Sequence, residues 1–151
     1  MSQESRRAEP IAGIHDLVAL RPPARPLGRG ADRRTALSYS DHLLRRFGQA
    51  DVVHLERGGR LERKEDDTAD EVWALIDGEA TFEWEDRRSS SPTSGRKASL
   101  AAQEPITVLV PFGVAFRVTA GGGAAILLRL STHADDEERL PRPFREEPFP
   151  Q

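Results

Sequence analysis

The chain has 151 residues, of which 37% are hydrophobic and 31% charged, enough for one domain with a well-buried core. Its 22 Lys and Arg against 25 Asp and Glu leave a net charge of −3, which offers no electrostatic basis for nucleic acid or an anionic membrane as a partner. It contains no cysteine, which excludes disulfides, a thiol nucleophile and a thiolate metal site.

No apolar run approaches the ~20 residues of a membrane span, and the N-terminus lacks the apolar stretch of about 7–15 residues that marks a secretory leader. The expected location is cytoplasmic. IAGIHDLVAL (11–20) reads as a strand or one amphipathic turn. RPPARPLGRGADRR (21–34), rich in Pro, Arg and Gly, reads as an irregular arm or loop. Residues 35–49 fit a strand pair or a short helix. From Asp51 the strand signals sharpen: DVVHLE (51–56) is a strand, and EVWALIDG (71–78) is a β-rich run closing on Asp-Gly, a favoured hairpin dipeptide. EATFEWE (79–85) alternates strictly, with Ala80, Phe82 and Trp84 on one face and Glu79, Thr81, Glu83 and Glu85 on the other. The Ser-rich stretch 87–99 reads as a disordered loop. ITVLVP (106–111) and VAFRVTA (114–120) flank a Pro-Phe-Gly corner, Gly121–Gly123 is a turn, and AAILLRLS (124–131) is a buried strand. No helical periodicity runs long, so the predicted fold class is all-β, a sandwich or barrel. The expected division is an N-terminal arm over 1–35, the barrel over 36–135, and a Pro-rich charged tail over 136–151.

Two fragments sharpen this reading. Gly59-x5-Glu65-x-Asp67-x3-Glu71-x6-Gly78 and Pro111-Phe-Gly113-Val-Ala-Phe116 resemble the two signature motifs of the cupin superfamily, G-x5-H-x-H-x3,4-E-x6-G and G-x5-P-x-G-x2-H-x3-N. The resemblance covers roughly residues 45–131 and implies a double-stranded β-helix, the jelly roll of cupins. The frame survives but the histidines do not: Glu65, Asp67 and Phe116 stand in their places. Pro105 stands where the second motif has its first glycine, and Ala120 where it has its asparagine. The two bends, at 77–78 and 111–113, are expected to fold over one hollow.

In cupins the histidines and the glutamate converge inside the barrel and bind Fe, Mn, Zn or Ni. For this chain two readings compete. In one, Glu65, Asp67 and Glu71 hold a hard divalent cation such as Mg²⁺, Ca²⁺ or Mn²⁺. In the other, favoured because uncompensated buried carboxylates are costly and Phe116 ligates nothing, no cofactor is held. The hollow then persists as a pocket for a small organic or sugar-like ligand, lined by Glu71, Trp73, Phe82, Trp84 and Phe116. His54, on a strand, is the candidate general base. Tyr39 is the one partner to nominate for it if the chain is a metal-independent sugar epimerase or isomerase, although the H-x-Q style residues of 3,5-epimerases are missing. The family implies a homodimer, with segment 11–20 a candidate for exchange between subunits.

Overall fold

The computed structural model describes residues 8–63 and 69–134. Twelve strands follow one another in these segments: β1 (Glu9–Pro10), β2 (Val18–Leu20), β3 (Arg25–Gly28), β4 (Ala31–Arg33), β5 (Gln49–Leu55), β6 (Arg60–Arg63), β7 (Glu71–Asp77), β8 (Ala80–Asp86), β9 (Lys97–Ala102), β10 (Ile106–Val110), β11 (Val114–Ala120) and β12 (Ala125–Ser131). A six-stranded sheet, β1-β2-β10-β7-β12-β5, faces a four-stranded one, β6-β11-β8-β9. All pairings are antiparallel. The expected jelly roll is what forms.

Most connections carry the chain from one sheet to the other. The Asp77-Gly78 bend, expected as a hairpin, is therefore a corner: β7 pairs with β10 and β12, whereas β8 pairs with β11 and β9. Gly78 has φ +91, and a Cβ there would run into the Ala124 carbonyl, so the corner needs glycine twice over. Within the four-stranded sheet the hairpin is β8–β9, and its loop is the Ser-rich stretch expected to be disordered. Asp86, fully buried, organises that loop. Its carboxylate accepts from Arg88 Nε at 2.9 Å, Ser91 Oγ at 2.7 Å and Thr93 Oγ1 at 2.6 Å. Residues 97–99, expected within the loop, begin β9.

Of the partly irregular arm expected over 1–35, the described residues from 8 onward join the barrel in part. Val18–Leu20 pair with Leu109–Thr107 of β10, and Ile14, Leu17 and Ala19 are buried in the core. Apolar side chains at 14, 17 and 19 gain more by covering the barrel than by remaining in solvent, at about 1.5–3 kcal/mol for each large one. Residues 25–33 form a small hairpin of their own, β3 with β4, and 39–41 a single 3-10 turn capped by Ser38. The tail 136–151 lies outside the described residues.

Strand register fixes what faces inward. Across the four-stranded sheet Arg63, Phe116, Trp84 and Ala98 are register partners, and such partners share a face. Across the six-stranded sheet the corresponding row is Asp51, Arg129, Trp73 and Val108. Next to it runs Gln49, Ser131, Glu71 and Val110. At the opposite end of the barrel, Ala80, Ala102 and Ala120 form a buried row of small residues, which lets the walls close together. The two bends thus lie at opposite ends rather than over one hollow: β7 and β10 run antiparallel, with Glu71 beside Val110 and Leu75 beside Ile106.

A carboxylate between two guanidinium groups in an aromatic-lined barrel

Glu71 opens β7 and points into the barrel, fully buried. Burial of a lone carboxylate is expensive, and each of its oxygens is compensated. Arg129 of the neighbouring β12 donates to Glu71 Oε2 through Nη2 at 2.6 Å and Nε at 3.1 Å, a two-pronged contact that a planar guanidinium makes well. Arg63 reaches across from the opposite sheet, its Nε 3.0 Å from Glu71 Oε1. Trp73 Nε1 donates to the same Oε1 at 2.9 Å. Arg129 also reaches outward, its Nη1 donating to Asp51 Oδ2 at 2.7 Å. Asp51 is held below the ordinary aspartate pKa, first by its hydrogen bond from Gln49 and then, against the opposing effect of burial, by Arg129.

Behind this polar group lies the aromatic wall. Trp73 and Phe116 meet across the sheets with ring centroids 5.0 Å apart. Phe82 stacks on Trp84 at 5.8 Å and an interplanar angle of 4°, and Phe116 lies 6.0 Å from Phe82 and 6.3 Å from Trp84. All four rings are buried. The five residues expected to line the hollow therefore do come together. Arg63 and Arg129 were not anticipated, although Arg129 interrupts an apolar strand at an inward-facing position and so required a buried counter-charge.

The metal-binding alternative meets a different chemistry here. Both oxygens of Glu71 face guanidinium groups, Phe116 fills the fourth ligand place, and no three His, Asp or Glu among the described residues converge on a common point. A divalent cation would have to displace two arginines, so Glu71 as it stands does not fit one. Glu65 and Asp67 lie outside the described residues. His54 is exposed on β5, on the side opposite Asp51 and Val53, and Tyr39 is 88% exposed in the 3-10 turn, so neither shares the interior with Glu71. A groove of about 610 Å³ runs along the four-stranded sheet, lined by outward residues such as Glu83 and Arg117 and also by Arg63, Trp84 and Phe116. Several of its charges pair, Arg117 with Glu62 and Glu83 and Arg87 with Glu85.

This fold is the jelly-roll barrel of cupins. No family model matches the chain, and no curated protein matches it by sequence. Solved structures do match. A dTDP sugar isomerase from Desulfovibrio desulfuricans superposes with a TM-score of 0.75 at 19% identity, covering 91% of this chain and 92% of that one. A 3'-monoepimerase from Streptomyces bikiniensis gives 0.76 at 15%, covering 94% and 78%; it was solved with dTDP, with a histidine changed to Asn and a tyrosine to Phe. RmlC from Streptococcus suis, in complex with dTDP-D-xylose, gives 0.71 at 17%, covering 83% and 69%. At these identities the likeness is one of fold. Among the described residues, no helix is long and apolar enough to cross a membrane.

Proposed function

We propose that the chain is a metal-independent cupin that binds a small organic or sugar-like molecule inside the barrel, against Trp73, Phe82, Trp84 and Phe116 at the end marked by Glu71. The observation that carries this reading is the cross-barrel grouping of Arg63, Glu71 and Arg129 beside the Trp73–Phe116 contact. Two fixed guanidinium groups do the charge balancing that a cation does in metal-bound cupins, and the aromatic rings supply the apolar contact area that small-molecule sites use. Glu71 is then a positioning residue: it holds both arginines in place. Support from outside the chain is the ligands named for its structural neighbours, dTDP and dTDP-D-xylose.

Calorimetric titration with dTDP-D-xylose, on protein whose metal content has been measured, tests the reading. It expects saturable binding to metal-free protein. Binding that requires a stoichiometric divalent ion would overturn it in favour of the carboxylate-held metal.

The sugar epimerase alternative is favoured by one observation, that the neighbours are named as epimerases and isomerases. Against it stand His54 and Tyr39, which both face solvent. Exchange of sugar protons with deuterated solvent would establish turnover, and a His54→Asn variant that kept it would remove His54 from the mechanism. The homodimer belongs to the same proposal. On the outer face of β5 and β12, Val52 is 74% exposed and its neighbours Ile126, Leu128 and Leu130 are only half-buried. These residues form an apolar strip suited to a second copy.

A further inference from the structure

One neutral polar group inside the barrel has no hydrogen-bond partner among the described residues. Trp84 is 2% exposed, and its indole N–H has no hydrogen-bond partner among the described residues. A buried donor left unmade costs about 1–3 kcal/mol, and native proteins leave few of them. Trp73, the chain's other tryptophan, shows the ordinary solution, with its N–H bonded to Glu71. An aromatic face does not rescue Trp84 either. An indole N–H lies in the plane of its ring, and the Phe82 ring is tilted only 4° from that plane and the Phe116 ring only 32°. Neither presents its face to the N–H as an N–H···π contact needs.

We infer that Trp84 Nε1 is the donor by which the barrel recognises its ligand, and that the accepting atom is an uncharged oxygen on a sugar-type ring. This rests on the barrel being the binding site. The charge at the site argues for a neutral acceptor: Arg63 and Arg129 are balanced by Glu71 and Asp51, so nothing there selects for net charge. The walls argue for the ring. Phe82, Phe116 and Trp73 offer apolar faces to the C–H surface of a sugar, while its edge carries the oxygens. A polar ligand that meets the Trp84 donor restores a hydrogen bond the free protein lacks; a hydrocarbon of the same shape leaves it unmade, and that difference is a source of specificity.

Two tryptophans give two indole signals in a ¹H–¹⁵N correlation spectrum, assigned with Trp84→Phe. In the free protein the Trp84 signal should lie upfield of the Glu71-bonded Trp73 signal. On addition of dTDP-D-xylose it should move downfield, and Trp84→Phe should weaken binding by roughly 3- to 10-fold, the value of one neutral hydrogen bond. If calorimetry shows binding but the Trp84 signal stays still and Trp84→Phe binds as tightly as wild type, this inference fails while the barrel site stands, provided the Trp73 signal moves. A Trp84 signal already downfield in free protein, from a trapped water, and unchanged by ligand also overturns it. No binding to wild-type protein removes both the site and the inference.

Discussion

At Glu71 a fully buried carboxylate is held by the guanidinium groups of Arg63 and Arg129 and by the indole N–H of Trp73. Unlike a bound ion, these side chains cannot leave the site. With Glu71 fully buried and Arg129 and Arg63 at 12% and 17% side-chain exposure, removing the carboxylate strands two cations in a poorly hydrated place. Glu71→Ala should therefore lower unfolding free energy by about 3–5 kcal/mol, as breaking a buried ion pair from one side does, measured by urea denaturation. A loss below about 1 kcal/mol would mean that water already screens the group. The resemblance to the cupin motif implied that Glu71 faces inward, and strand alternation then added Trp73. The guanidinium groups were harder to see. Arg63 sits at the end of a short strand whose partner could not be inferred, and it pairs with a residue on the opposite sheet, a relation that no local pattern encodes.

The β8–β9 hairpin shows the same limits at the level of elements. β8 was plain because its apolar residues alternate with polar ones, and Asp86 continues the inward series of Ala80, Phe82 and Trp84 by one more step. β9 was hidden because KASLAA is small and weakly β-forming, and its polar loop composition resembles disorder. What orders the loop is one buried side chain. Burial acts to raise the pKa of Asp86, but hydrogen bonds from Arg88, Ser91, Thr93 and the Arg88 backbone outweigh it and hold the carboxyl far below the ordinary range. A depressed native pKa means that the contribution of Asp86 is complete above the unfolded value of about 3.9 and declines as pH falls through the native one. The stability gap between wild type and Asp86→Asn should be wide and constant from pH 6 to 8 and should narrow below about pH 4, as measured by denaturation at each pH. A gap independent of pH would show that the carboxylate charge contributes nothing. The loop also fastens the N-terminal segment: Arg88 Nη2 donates to the His15 carbonyl at 2.7 Å and the His15 N–H donates to Thr93 Oγ1 at 2.9 Å. Loosening the loop should therefore loosen residues 11–17 as well.

Over the whole molecule, the jelly roll follows from corners as much as from strands. Gly78 at one end and the Pro-Phe-Gly bend at the other turn the chain between sheets, and in doing so they bring Arg63 opposite Glu71. Strand pattern and turn residues were enough to identify an all-β sandwich or barrel, and the resemblance to the cupin motifs narrowed this to the jelly roll. They could not show which bends lie at the same end, because that depends on the antiparallel order β10-β7-β12, set by long-range pairing. The roll leaves the outer face of β5 and β12 apolar, and the proposed dimer would cover it. Val52→Arg should shift the protein toward monomer in sedimentation at micromolar concentration without changing its circular dichroism, since Val52 is exposed and contributes little to the core. A wild-type protein that already sediments as a monomer would remove the dimer from the account.

On the proposed reading, arginines rather than an ion answer the charge of Glu71. Diffraction from crystals soaked in Mn²⁺, measured for anomalous scattering, tests it most directly. No anomalous peak should appear beside Glu71, and guanidinium nitrogens should lie within hydrogen-bonding distance of both carboxylate oxygens; a manganese peak bonded to Glu71, with Arg63 or Arg129 swung away, would overturn the arginine-held site.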